Sequence, residues 1–306
     1  MRHLLLALLL ATSFITGCGG AGETSVNGSA NEQAIPDTLR VGLIPNISPE
    51  QQRAKYEPFA TFLERRLGVP VNLFVASDYA GVVAALAAGR IDLAYLGGLS
   101  YVQAEQQVQL TPLVTEVDHA TETPQYVSAV VVRADAPYQD LRKDIVVAGR
   151  SFAFGDVSST SGSLYPRIML TEAGATCSPR RVDECPPLRK VTFTGGHDAT
   201  AQAVLSGQAD AGGIELRILR RLEKEGKIPA GQLRVIAERR VQGYPWVMRA
   251  ALGERARAVL TEAFTSIEDP ALLDLMRAKR YVTVTAADYD EVRRAAADLG
   301  LLTVKQ

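Results

Sequence analysis

Between Leu39 and Leu96, short apolar runs alternate with helix-period segments, and glycine or proline punctuates most of the changes. Residues 39–44 read as a buried strand stopped by Pro45. Residues 56–67 then carry Phe59, Phe62, Leu63 and Leu67 at the spacing of one helix face, and Gly68 closes the helix. Residues 71–75 form the next strand, residues 81–88 a helix ending at Gly89, and residues 91–96 a third strand. Each connection in such a β-α-β-α-β order must cross back over the sheet, so the strands run parallel and helices cover them. Ligands in sheets of this kind bind beyond the carboxyl ends of the strands. The loops after Ile44, Val75 and Leu96 are therefore the first places to look.

A second α/β unit follows. Residues 126–133 are β-rich, 144–154 read as a second strand region, 161–173 as a helix, 188–193 as a strand, 199–205 as a helix and 209–214 as a strand. Residues 233–238 add a strand, and helices are expected over 254–264 and 290–299. At 306 residues the chain is long enough for two domains. The expected division is one lobe of residues 38–122 plus 236–306 and a second of 123–235, joined by an early crossing and a later return. Two such lobes make a cleft with hinged walls.

Charge narrows the function. With 33 basic and 34 acidic residues, net charge −1 and no charged block, the chain has no electrostatic footprint for nucleic acid. Three histidines cannot build a multi-histidine metal centre when one, His3, lies at the extreme N-terminus. Neither metal nor cofactor is expected. There is no G-x-x-x-x-G-K-[ST] loop, and Ser161 lacks the glycine two positions before it that a nucleophile elbow requires. No enzymatic role is expected.

The N-terminus supplies an address. Met1-Arg2-His3 is a short basic start, and residues 4–11 are an apolar stretch too short to span a bilayer. Residues 1–17 read as a signal peptide, because Ile15-Thr16-Gly17-Cys18 resembles a bacterial lipobox. Cys18 is then the lipidated first residue of the mature chain, residues 18–37 a flexible tether, and the location the cell envelope, lipid-anchored to a membrane. Cys177 and Cys185 remain, an even pair in a compartment that permits disulfides. They sit in a polar, proline-rich loop and are expected to bridge, two free thiols or half a metal site being the alternatives.

Chemistry concentrates in Phe154-Gly155-Asp156-Val157-Ser158-Ser159-Thr160-Ser161-Gly162-Ser163. A strand ends, a hydroxyl-rich turn follows and a helix begins, which aims backbone N–H groups, helix dipole and O–H donors at one spot. Helix capping explains such a run equally well. Gly195-Gly196-His197-Asp198 repeats the strand-to-helix placement, and His197 could donate from there to an anion or cap its own helix. Asp198 reads as a first-turn acid favoured by the helix dipole.

Taken as a set, Val41-Gly42-Leu43-Ile44-Pro45, Ser77-Asp78-Tyr79-Ala80-Gly81-Val82, Gly98-Leu99-Ser100-Tyr101, Ser159-Thr160-Ser161-Gly162 and Gly196-His197-Asp198-Ala199-Thr200 resemble a known family. It is that of the phosphate/phosphite/phosphonate-binding proteins of ABC importers, of the two-lobed type II periplasmic-binding-protein fold. The resemblance implies a monomer that traps a small phosphorus oxyanion and hands it to an inner-membrane ABC permease. It implies ligand roles for Ser159, Thr160, Ser161 and His197 from the second lobe, and for Tyr79 and Tyr101 from the first. Tyr95, inside its strand, is expected in the core. Relatives that hold aminoalkyl phosphonates place a carboxylate shortly after the strand equivalent to residues 209–214. Here Arg217 aligns with that acid, and Glu215 replaces it only if the backbone shifts. This favours phosphite, methylphosphonate or phosphate over 2-aminoethylphosphonate. A bilobal transferase or hydrolase acting on a small phosphorylated metabolite and a sensory lipoprotein are the alternative readings.

Overall fold

A computed structural model describes residues 34–178 and 180–302. The expected signal peptide, Cys18 and most of the expected tether lie outside the described residues. Ile35, assigned above to the tether, is 5% exposed and packs in the core, so the ordered body begins before residue 38.

The elements run β1 (Leu39–Leu43), α1 (Pro49–Leu67), β2 (Val71–Val75), α2 (Tyr79–Ala87), β3 (Leu93–Tyr95), α3 (Gly98–Ala104), β4 (Leu110–Asp118) and β5 (Gln125–Arg133). They continue with β6 (Ser151–Phe154), α4 (Tyr165–Glu172), β7 (Lys190–Phe193), α5 (His197–Leu205), β8 (Ala211–Glu215), α6 (Leu216–Lys224) and β9 (Leu233–Gln242). The chain closes with β10 (Trp246–Arg249), α7 (Gly253–Thr265), α8 (Pro270–Met276), β11 (Ala278–Thr283) and α9 (Asp290–Asp298). Among the described residues no helix is long and apolar enough to cross a membrane.

Two sheets result, ordered β11-β4-β10-β3-β1-β2 and β7-β6-β8-β5-β9. Each is parallel along one side, β2-β1-β3 in one and β7-β6-β8 in the other, and is extended from there by antiparallel strands. The chain passes from the first sheet to the second between Asp118 and Gln125 and returns between Gln242 and Trp246. The return expected at residue 236 thus falls inside β9, which pairs with β5 from Leu233 to Gln242. The two crossings touch: Gly243 N donates to the Pro124 carbonyl at 2.9 Å, and Thr115 Oγ1 donates to the Tyr244 carbonyl at 2.9 Å. A Cβ on Gly243 would lie 2.4 Å from Thr115 Oγ1, so only glycine lets these segments approach so closely.

Local chemistry explains most boundaries. Pro49 opens α1 at a position whose N–H needs no partner, Arg65 and Arg66 occupy its last turn, and Gly68 ends it at φ 72°. Asp78 Oδ1 accepts from Gly81 N at 2.7 Å, so α2 starts two residues earlier than its apolar spacing suggests. The strand expected over 144–154 is real only from Ser151. Leu141–Val147 form a π-helical segment, because Asp140 Oδ1 accepts from Lys143 N and Asp144 Oδ2 accepts from Gln139 N and Asp140 N. Two carboxylates satisfying the first turn outweigh the β-branched run Ile145-Val146-Val147. Cys177 and Cys185 are joined by a disulfide. Arg167 of α4 donates to the Val182 carbonyl inside that loop and stacks on Phe154 at 4.5 Å, tying the loop to the end of β6.

Candidate functional site

After Phe154 the chain makes the hydroxyl-rich turn and enters α4 through one π-helical turn, Thr160–Leu164. Ser159 Oγ caps that turn by accepting from Gly162 N at 3.0 Å, while Gly155 N donates to the Gly162 carbonyl at 2.9 Å. Residues Ser158–Leu164 are all buried. A Cβ on Gly162 would stand 2.9 Å from Ser159 Oγ and 3.1 Å from His197 Cε1. Glycine there lets the turn press directly against the imidazole.

His197 opens α5 and is 1% exposed. Glu215 N donates to its Nδ1 at 3.3 Å, which places the ring proton on Nε2. Burial pushes the imidazole down to about 4, so near pH 7 it is neutral. Nε2–H is buried and has no partner within the protein. The Ser161 and Tyr126 hydroxyls are buried without a well-formed hydrogen bond as well; they face each other, and Tyr244 stands beside Tyr126. Protein interiors rarely leave hydrogen-bonding atoms unpaired. Three such groups on one turn, one helix start and one strand describe a receptor for oxygen atoms.

Tyr79 is the first residue of α2 and is buried, with its hydroxyl beside Ser159. Burial and the nearby Asp156 hold its phenol far above the usual range, so it is a donor at every working pH. The structure therefore gathers Tyr79, Ser159, Ser161 and His197. Thr160 is in the same turn, but its hydroxyl faces across the molecule and accepts from Leu99 N at 2.9 Å. Tyr101 is not brought there. It lies in α3 edge-on to Tyr289 at 5.0 Å, with its hydroxyl beside Glu105. One turn of α3 rotates it away from the end of β3, and this corrects the expectation of a ligand role. Tyr126 was missed. It opens a β-rich run in which no motif marks it, and only packing shows that its hydroxyl lacks a well-formed bond.

Behind the imidazole lies a buried charge cluster. Glu215 is fully buried; Oε1 accepts from Arg217 Nε at 2.7 Å and Oε2 accepts from the Tyr244 hydroxyl at 2.6 Å. Burial alone would raise its pKa, but Arg277, Arg217 and His197 hold it down to about 2. Arg217 also meets Glu116 at 3.0 Å and Asp118 at 3.5 Å, and its guanidinium covers the Tyr126 ring at 4.7 Å. Tyr95 is core, as expected, and accepts from Arg277 Nη2 at 3.3 Å. Glu215 needs no backbone shift to stand beside His197, yet both of its oxygens are already engaged.

Four hydrogen bonds join the two sheet-and-helix halves around this site. His197 N donates to the Asn46 carbonyl at 3.0 Å, Ser48 N to Asp198 Oδ2 at 3.2 Å, Tyr79 N to Asp156 Oδ2 at 3.2 Å, and Leu99 N to Thr160 Oγ1. In each, an N–H at or just before a helix start meets a polar group of the other half. Thr160→Val removes one of these acceptors and leaves Leu99 N unpaired. It is expected to weaken binding of a closing ligand by about tenfold, read by calorimetry. Unchanged affinity would mean that this contact contributes nothing to closure.

Comparison with known proteins follows the same line. Residues 41–289 match a family model described as the periplasmic substrate-binding protein of a phosphonate ABC transporter. The chain is 32% identical over 294 residues to the phosphate-import protein PhnD of Mycolicibacterium smegmatis, covering 91% of this chain and 90% of that protein. It is 26% identical to the phosphonates-binding periplasmic protein of Escherichia coli, covering 90% of this chain and 78% of that one. Among solved structures it superposes on PhnD1 of Prochlorococcus marinus in complex with methylphosphonate with TM-score 0.73, at 25% identity, covering 86% of this chain and 98% of the other.

Proposed function

The chain belongs to the phosphonate-binding family of periplasmic substrate-binding proteins of ABC transporters, with the two-lobed type II fold, and from that premise we propose how it captures its ligand. Family membership fits an importer subunit and not a transferase or hydrolase of phosphorylated metabolites. The ligand is a small phosphorus oxyanion. Its oxygens take hydrogen bonds from Ser161, Tyr126 and His197 Nε2–H, with Ser159 and Tyr79 at the edge of the same turn, and the two halves shut over it. Nothing is made or broken covalently.

The observation that supports this is the trio of buried, unpaired hydrogen-bonding atoms on Ser161, Tyr126 and His197. Hydrogen bonds to a charged acceptor contribute about 1.5–3 kcal/mol each once water is excluded. A neutral imidazole, hydroxyls and backbone amides suffice for an anion without a counter-cation. The ligand carries no ammonium group, because Glu215, the buried carboxylate behind His197, is already paired with Arg217 and hydrogen-bonded by Tyr244. Calorimetry with phosphate, phosphite, methylphosphonate, 2-aminoethylphosphonate and sulfate tests the reading. Tight binding of one of the first three and none of 2-aminoethylphosphonate is expected; silence toward all five would refute it.

Cys18 carries lipid and tethers the folded body to the membrane in this reading. Two or more acyl chains anchor stably, at about 0.8 kcal/mol per buried methylene. Cys18→Ser should move the protein from the membrane to the soluble fraction in cell fractionation. A variant that still sediments with membranes would rule the anchor out.

A further inference from the structure

The first half of the molecule also carries buried polar groups with nothing to bond. Asn46 follows β1 beyond the sheet's carboxyl edge, is 1% exposed, and has no partner for Nδ2. Its carbonyl receives His197 N, so it stands directly against the start of α5. Gln52 lies on the first turn of α1 and is likewise 1% exposed, and neither Nε2 nor Oε1 has a partner.

Gln52 heads the buried stripe Gln52, Tyr56, Phe59, Ala60, Leu63. Everything below it on that stripe is hydrophobic and packs on the first sheet. The stripe's upper end is the amino end of α1, at the carboxyl edge of the strands, where this architecture places ligands. The next side chains along that side, Lys55 and Tyr56, lie within the electrostatic reach of Arg277 and Glu215. A polar residue in that slot packs poorly against a sheet but is well placed for a ligand.

The open groups sort by chemistry. Asn46 Nδ2 and His197 Nε2 only donate, and the Ser161 and Tyr126 hydroxyls can donate. Gln52 offers one donor and one acceptor, and because both ends of its amide are open, turning the amide over leaves that pair unchanged. We propose that Asn46 and Gln52 complete the ligand shell from the first half, and that the Gln52 acceptor receives a P–OH, so the ligand is a phosphorus oxyanion that keeps one hydroxyl. This rests on the function proposed above and narrows it.

The test compares inorganic phosphate with phosphite at pH 8, where phosphite holds no proton on oxygen. The full chain and its Gln52→Met and Asn46→Ala variants are titrated by calorimetry, and their unliganded melting temperatures are measured. Wild type should prefer phosphate. Gln52→Met should lose phosphate affinity at least tenfold with phosphite changed less than threefold. Its unliganded melting temperature should hold or rise, because two buried unpaired atoms are gone. Asn46→Ala should weaken both anions by about tenfold. A purely structural role for Gln52 moves both anions together, so an unchanged phosphate-to-phosphite ratio overturns its assignment whatever the stability. A wild type that prefers phosphite at pH 8 overturns it too, and unchanged affinities in Asn46→Ala remove Asn46. Wild type silent toward both anions and toward methylphosphonate would sink the underlying function as well.

Discussion

Replacing His197 with alanine should lower the affinity for the bound oxyanion by roughly 10- to 150-fold, the equivalent of about 1.5–3 kcal/mol for one hydrogen bond to a charged acceptor. The effect comes from losing a donor whose proton has a fixed position. Glu215 N occupies Nδ1, leaving Nε2–H as the ring's one polar edge toward the cradle. Asparagine at 197 should recover part of the loss, since its amide also donates. A second signature is thermal. The unfolded imidazole takes up a proton below about pH 6.5, whereas the buried ring resists until about 4. The stability that depends on neutral His197 is therefore intact above pH 6.5 and disappears as pH falls toward 4, a change of about 3 kcal/mol. His197→Asn should lack that part of the decline in melting scans between pH 7 and 4. A variant with wild-type affinity, or one whose acid decline is unaltered, would count against the assigned role.

The largest loss of stability is expected from Arg217→Met. Arg217 lies among three carboxylates, Glu215, Glu116 and Asp118, all nearly out of solvent. Taking away the cation leaves buried negative charge uncompensated, a change that typically costs about 3–5 kcal/mol. The sign with pH follows from Glu215. In the wild type its pKa is held down, so the pair's stabilisation is full above the ordinary carboxylate range and fades only as pH falls toward 2. Without Arg217, Glu215 loses one of the cations that keep it ionised, and the deficit should shrink from pH 8 to pH 5. Denaturant unfolding at both values measures it. A deficit under 1 kcal/mol, or one that widens in acid, would show that Arg277 alone carries the balance.

These residues also show why some of the molecule was legible before its structure and some was not. The alternation of β1 to β3 with α1 and α2 could be read because each segment's periodicity lies within a few neighbours. So could the Ser159-Thr160-Ser161-Gly162 turn, whose residue types match a helix start. By contrast, β4 contains Pro112, Glu116 and Asp118, which read as surface residues. The two acids are tolerated out of solvent because Arg217, 99 or more positions away, neutralises them. The π-helical segment Leu141–Val147 looked like strand because two aspartates, not its apolar residues, decide its backbone. Tyr101 was misplaced since a helix turns its side chains by 100° per residue, and the end of β3 does not say which way. Gln52 and Tyr126 matter for the partners they lack, a property that exists only once the chain has packed.

The four main-chain N–H contacts that span the halves are made between protein atoms alone. Fastenings of this kind favour the shut arrangement by a fixed amount, to which the solute's own hydrogen bonds add. Two things come with that. Each fastening strengthens retention of solute, yet each also raises the share of unloaded carriers presenting a shut face to the permease. Uptake at scarce solute would then depend on how rarely those decoys dock, and loosening a single fastening far from the bound solute could speed transport even as it weakens capture.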